Sequence, residues 1–192
     1  FTQPMFPVQA VEWLKENPLT TPQINNSTFS PEVVTPNEPL YPQQWGIPAT
    51  QVDAVWDSTT GDTTQLIAIL DTGVDWLHPD LKNKIWTNPG EIPDNGIDDD
   101  ENGKVDDVRG WDWINIDNNP MDDNSHGTHV AGIAGAESNN GIGIAGVNWG
   151  AKIMPLKVFQ SSGRGDASTI TQGIIYAKNK GATVINMSFG SY

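Results

Sequence analysis

The run Leu66-Ile67-Ala68-Ile69-Leu70 is apolar at every position, so both of its faces must be covered. That is how a central strand of a parallel sheet reads, with helices packed above and below it. It leads into Asp71-Thr72-Gly73-Val74-Asp75, where Gly73 is free to take positive φ and turn the chain sharply. Functional groups of open α/β sheets gather at the carboxyl ends of strands, and Asp71 stands at such an end. Ile153 to Phe159 reads as a second buried strand, Ala167 to Lys180 as a helix stopped by Gly181, and Thr183 to Met187 as a third strand. The alternation predicts an α/β fold, a doubly wound parallel sheet with helices on both faces.

The second constraining stretch is His126-Gly127-Thr128-His129-Val130-Ala131-Gly132. Asn124 or Ser125 can serve as N-cap to a helix running on through Ala136. Glycines at 127, 132 and 135 cost such a helix about 1 kcal/mol each relative to alanine, which points to close backbone approach. His126 falls in its first turn. With His129 it forms a His-x-x-His pair, but the zincin pattern needs spacing i, i+4 with Glu at the second position, and Gly127 stands there. His129 is expected to be a packed structural residue, and His78, before Pro79, a turn residue.

Before these elements the chain is rich in Pro, Asn and Thr. Val8 to Asn17 carries a helical pattern that Pro18 stops, Thr20 to Pro39 reads as an extended linker, and Ile47 to Trp56 as a short amphipathic helix. Lys and Arg total 10 against 24 Asp and Glu, and the net charge of −14 argues against nucleic acid or anionic membranes as partners. No apolar run approaches the roughly 18 residues of a membrane span. There is no cysteine, hence no disulfide framework or thiolate chemistry. Seven carboxylates fall between Asp94 and Asp107, and clustered carboxylates repel unless cations offset them. Asp98, Asp100, Asn102 and Asp106, with Gly103 for a sharp turn, follow the spacing of hard-cation loops, so calcium is the implied ion. The glutamate that closes an EF-hand is missing.

Asp71 to Asp75 with His78-Pro79-Asp80-Leu81, then His126 to Gly132, then Asn186-Met187-Ser188-Phe189-Gly190, resemble the subtilisin-like serine proteases, their thermitase-like branch above all. The resemblance runs from about Pro36 to Tyr192. It implies an Asp, His, Ser order along the chain, with Asp71 and His126 as the first two members. The family's Gly-Thr-Ser-Met-Ala motif is absent, so the serine is expected beyond the chain end and the sheet is expected to be incomplete. The 192 residues by themselves are therefore expected to be inactive. Residues 1–35 are expected to be a propeptide remnant and linker, because Ala10 to Pro18 resembles the closing helix of the family's inhibitory propeptide. Residues 36–192 are then the N-terminal part of the catalytic domain, with an acidic insertion near 88–108.

The resemblance also implies substrate contacts and calcium ligands. Gly163, Gly165, Ser188, Phe189 and Gly190 match two segments that flank an extended peptide and pair with its backbone. Glu38, Asp80 and Asn140, with the carbonyls of Glu137, Ile142 and Ile144, match a tight calcium site. Asp112, Asn115 and Asp117 match a second site, where Asn115 replaces an aspartate and removes a charge. The expected protein is a secreted or cell-surface serine endopeptidase acting on polypeptides, stabilised by Ca2+ and inhibited by its own propeptide. The alternatives are a catalytically inactive relative of the same fold and a calcium-binding adhesion module, for which Asp71 and His126 have no use.

Overall fold

The computed structural model describes residues 34–190. The helix expected at Val8 to Asn17, and nearly all of the stretch read as propeptide remnant and linker, lie outside them. The first elements are a 3-10 turn at Tyr41–Gln43 and two short helices, α1 (Gly46–Thr50) and α2 (Val52–Trp56). The sequence reads as one helix from Ile47 to Trp56, but Gln51 takes a left-handed conformation (φ 60°) and divides it. The break brings Ile47 and Trp56 together in one small core with Ala145, flanked by Tyr41 and Trp149.

Four parallel strands follow: β1 (Leu66–Asp71), β2 (Trp111–Asp112), β3 (Lys152–Lys157) and β4 (Val184–Asn186), in the order β2-β3-β1-β4. Strand β1 is central and buried at all positions, as its composition requires. Between β2 and β3 runs α3 (His126–Gly135), and between β3 and β4 runs α4 (Ala167–Asn179). Alternate residues of β1 serve opposite faces. Ile67 and Ile69 pack with Ala131 and Ile153 on the α3 side, whereas Leu66, Ala68 and Leu70 pack with Met154, Leu156, Tyr176 and Ala177 on the α4 side. Helices cover both faces, as expected.

The small residues of α3 explain its seat. A Cβ on Gly135 would lie 3.1 Å from the Ile153 side chain, and one on Gly127 only 2.0 Å from the Gly73 carbonyl oxygen. The chain leaves β1 toward β3 on one side and later returns to β4 on the other. The carboxyl end of β1 is thus a point where the winding reverses, and crevices form at such points.

Candidate active site

Asp71 closes β1 and is 2% exposed, while His126 opens α3 with its side chain half exposed. His126 Nδ1 lies 2.8 Å from Asp71 Oδ1. A carboxylate only accepts, so Nδ1 carries the hydrogen, and the neutral form of the ring keeps its lone pair on Nε2. The Thr72 N–H donates to the same Asp71 oxygen at 2.7 Å.

Asp122, which sequence reasoning did not single out, positions the pair. One of its oxygens accepts from Thr72 Oγ1 (2.8 Å) and from the N–H groups of Asn124 and Ser125. The other accepts from the N–H and hydroxyl of Thr128 at 2.9 and 2.6 Å. Thr72 Oγ1 in turn accepts from the Gly127 N–H at 3.1 Å. Ser125 holds the N-cap position with a φ of 85° but makes no capping bond through its side chain. The first turn is satisfied piecewise: Asn124 Oδ1, one of the two expected caps, accepts from the His126 N–H (3.3 Å), Thr72 Oγ1 from Gly127 and Asp122 from Thr128. Burial opposes ionisation of Asp122, but the bonds from Thr128, Asn124 and Thr72 outweigh it and hold the carboxyl below its ordinary value. The signal available in sequence was an aspartate four residues before His126.

A cleft of about 240 Å³ opens beside the pair, lined by Asp71, Thr72, Asn124, His126, Phe159, Gly163, Ser188 and Phe189. It therefore collects residues that follow β1, β3 and β4. Phe159 and Phe189 meet edge to face, with centroids 4.7 Å apart. Of the five residues proposed to meet substrate, Gly163, Ser188 and Phe189 line the cleft. Gly165 sits against the Phe159 ring, where a Cβ would come within 2.5 Å, and Gly190 has open space around it. A larger cavity of about 630 Å³ lies beside Asp75, His78 and His129 and lacks both Asp71 and His126. His129 is exposed, not packed as expected, because α3 turns its i+3 position outward from the sheet. His78 accepts through Nδ1 from the Asp80 N–H within a turn, as expected.

The whole of 62–192 matches the model of the Subtilase family. The chain belongs to the subtilase family. It is 40% identical over 181 residues to a thermophilic serine proteinase of a Bacillus species, covering 94% of this chain and 39% of that protein. It is 38% identical over 157 residues to thermitase of Thermoactinomyces vulgaris, covering 81% of this chain and 48% of that protein. Among solved structures, a protease of Pseudoalteromonas arctica is similar with a TM-score of 0.62 and 30% identity, over 82% of this chain and 51% of that one. The subtilase chain described here thus spans about half or less of the length of these relatives.

Calcium can be tested against the residues present. Glu38 Oε1 accepts from the Asn140 N–H (3.0 Å), Asp80 accepts from Asn140 Nδ2 and from the Ile144 N–H (both 3.0 Å), and Glu38 Oε2 is buried without a partner. Two carboxylates, each 3% exposed, with one orphaned oxygen suit a hard cation. The neighbouring chain is already folded round them: the Ile142 N–H donates to Asn140 Oδ1, and the Glu137 N–H to the Asp80 carbonyl.

Asp112 is fully buried and accepts from the Ile114 and Asn115 N–H groups and from Asn115 Nδ2. Burial raises its pKa despite those bonds. Asp117 is exposed and accepts from the Asn119 N–H.

In the acidic loop, Asp98 accepts from the N–H groups of Asn102 and Gly103, and Asp106 from those of Asn95 and Gly96. Among the described residues, the carboxylates gathered closely enough for one ion are Glu91, Asp100 and Asp107, within 4.8 Å of one another. Glu91 Oε2 and Asn102 Oδ1 are buried there without partners. Burial, then Asp107, Asp100 and Asp99, push the Glu91 carboxyl up. Lys180 bonds Asp100 and lies 3.7 Å from Asp107, and the Tyr176 hydroxyl donates to Asp107 at 2.7 Å. Burial again works against Asp100, but Lys180 and Asn88 hold its carboxyl low. The loop spacing alone pointed to Asp100 and missed Glu91 and Asp107, which come to it only in three dimensions.

Proposed function

We propose that the whole protein is a secreted, calcium-stabilised serine endopeptidase in which Asp71 and His126 are two members of a triad. The third, a serine, is supplied by chain beyond Tyr192, in the part of the relatives' length that these residues do not span. The observation that carries this reading is the 2.8 Å contact between Asp71 Oδ1 and His126 Nδ1 beside an open cleft.

The chemistry follows from that contact. His126 Nε2 accepts the serine proton as the hydroxyl attacks a peptide carbonyl. Asp71, buried and bonded to Nδ1–H, fixes the tautomer and stabilises the imidazolium that results. His126 then returns the proton to the leaving amine, and water repeats the sequence on the acyl-enzyme. Gly163, Ser188 and Phe189 would flank the peptide as it lies along the cleft, with Gly190 giving its backbone room to approach, while Gly165 would let the Phe159 ring close one side. Calcium when bound supplies structural charge compensation only, held by Glu38, Asp80 and Asn140 and by the Asp98 to Asp106 loop with Glu91 and Asp107. Asp112, Asn115 and Asp117 would form a weaker site. Residues 1–35 would be a remnant of the inhibitory propeptide with a linker.

The test is labelling by a serine-directed phosphonate. A chain extended past Tyr192 should label and cleave a denatured protein substrate, and the 192-residue chain should do neither. Labelling of the 192-residue chain, or an extended chain that neither labels nor cleaves, would overturn the reading. The second outcome would favour the inactive relative.

A further inference from the structure

Lys157, the last residue of β3, is 1% exposed and is the largest fully buried side chain among the described residues. An ammonium taken so far from water is tolerated only when it is paired and hydrogen-bonded. Its Nζ donates to the Thr72 carbonyl and to Asp123 Oδ1, each at 2.6 Å. Thr72 is the residue after Asp71, and Asp123 stands three before His126. Lys157 is also the in-register partner of Asp71 across the β1–β3 ladder. Thr72 is therefore gripped twice, by Asp122 on its hydroxyl and by Lys157 on its carbonyl.

We propose that Lys157 is a positioning residue for the Asp71–His126 pair, tying the turn after Asp71 to the loop before His126, a role that rests on the pair working as proposed above. The alternative is simple neutralisation, since Asp112 also faces Lys157 from β2. The two differ in what they ask of Asp123, whose side chain is half exposed and so open to replacement without a cavity. A tie needs only an acceptor at 123, whereas neutralisation needs its charge.

The experiment uses the full-length protein and two readouts. Asp123→Ala removes the acceptor and should lower kcat about tenfold or more with KM within about twofold, as misplacement of a catalytic group does. Asp123→Asn keeps an acceptor oxygen and should recover most of that loss. Lys157→Met should lower kcat further if it folds, its melting temperature being measured alongside. Independently of turnover, the downfield proton resonance of the His126 Nδ1–H should persist in the parent and in Asp123→Asn, and broaden or vanish in Asp123→Ala. An unaltered resonance and kcat in Asp123→Ala would overturn the proposal, and so would equal losses in the Ala and Asn variants. A parent protein that shows the resonance but no turnover would instead sink the protease reading, while the resonance still decides the role of Lys157.

Discussion

The Asp71–His126 site and the acidic loop between Asn88 and Asp107 both depend on carboxylates, but they are held in opposite ways. Asp71 and His126 come from the end of a strand and the start of a helix, and the two elements meet in close packing that the Asp122 and Thr72 bonds reinforce. A single Cβ at Gly127 would overlap the Gly73 carbonyl oxygen. The acidic loop is tied to α4 by polar contacts, Tyr176 and Lys180 on Asp107 and Lys180 on Asp100. Its residues turn through positive φ at Asp94, Gly96, Glu101, Gly103 and Asp106, and its side chains staple backbone N–H groups. One region is built by exclusion of volume, and the other by balance of charge. The first should respond to changes of size and the second to changes of ion.

The largest effect should come from the pair itself. In the full-length protein His126→Ala should cost on the order of 10⁶ in kcat and Asp71→Asn about 10⁴, the latter through the wrong tautomer. Next, Gly127→Ala should destabilise the fold by about 3 kcal/mol, the upper end of overpacking costs, in denaturant unfolding. Gly103→Ala in the acidic loop meets open space and pays only for its positive φ, so it should cost clearly less. Equal losses at the two glycines would remove the contrast.

Calcium should act in the reverse sense. Ion binding to the folded state adds about 2.7 kcal/mol at a hundredfold excess over its dissociation constant, so chelator should lower the melting temperature and expose the loop to nicking. Glu91→Gln, or Asp98 and Asp100 replaced together by Asn, should reduce that response without abolishing it, because Glu38 and Asp80 remain. A melting curve indifferent to chelator and to added calcium would contradict the charge-balance account.

The smallest effect is one of pH. Asp122 is held below its ordinary carboxylate value, so it contributes stability above that value and loses it as pH falls through the folded one. Asp122→Asn should therefore flatten the acid side of the stability profile. An acid limb identical to that of the parent would mean that Asp122 does not carry this linkage.

These differences also decide what could be read from sequence. β1 was legible because five apolar residues in a row admit few structures, and α4 because a glycine closes it. Asp71 and His126 were legible because each sits in a motif at a predictable end of an element. β2 was not, since two residues between acidic turns carry no period. Nor was the packing of His129, because helix rotation is set by tertiary contacts that a short, glycine-rich pattern does not encode. Asp122 and Lys157 act through bonds that span 34 residues or more in three of their contacts, and such pairings have no local signature. In the acidic loop the spacing revealed a charge problem, but only the fold showed that Glu91, Asp107 and Lys180 share in its solution.

The most direct test of the central claim compares two histidines one helical turn apart. Turnover and melting temperature should be measured for His126→Ala and His129→Ala in the full-length protein. With His126 bonded to Asp71 and His129 exposed, His126→Ala should lose nearly all turnover with its fold intact, and His129→Ala should keep most of it. Equal loss of turnover in a stable His129→Ala protein, or substantial turnover in His126→Ala, would contradict the assignment of His126 as the base.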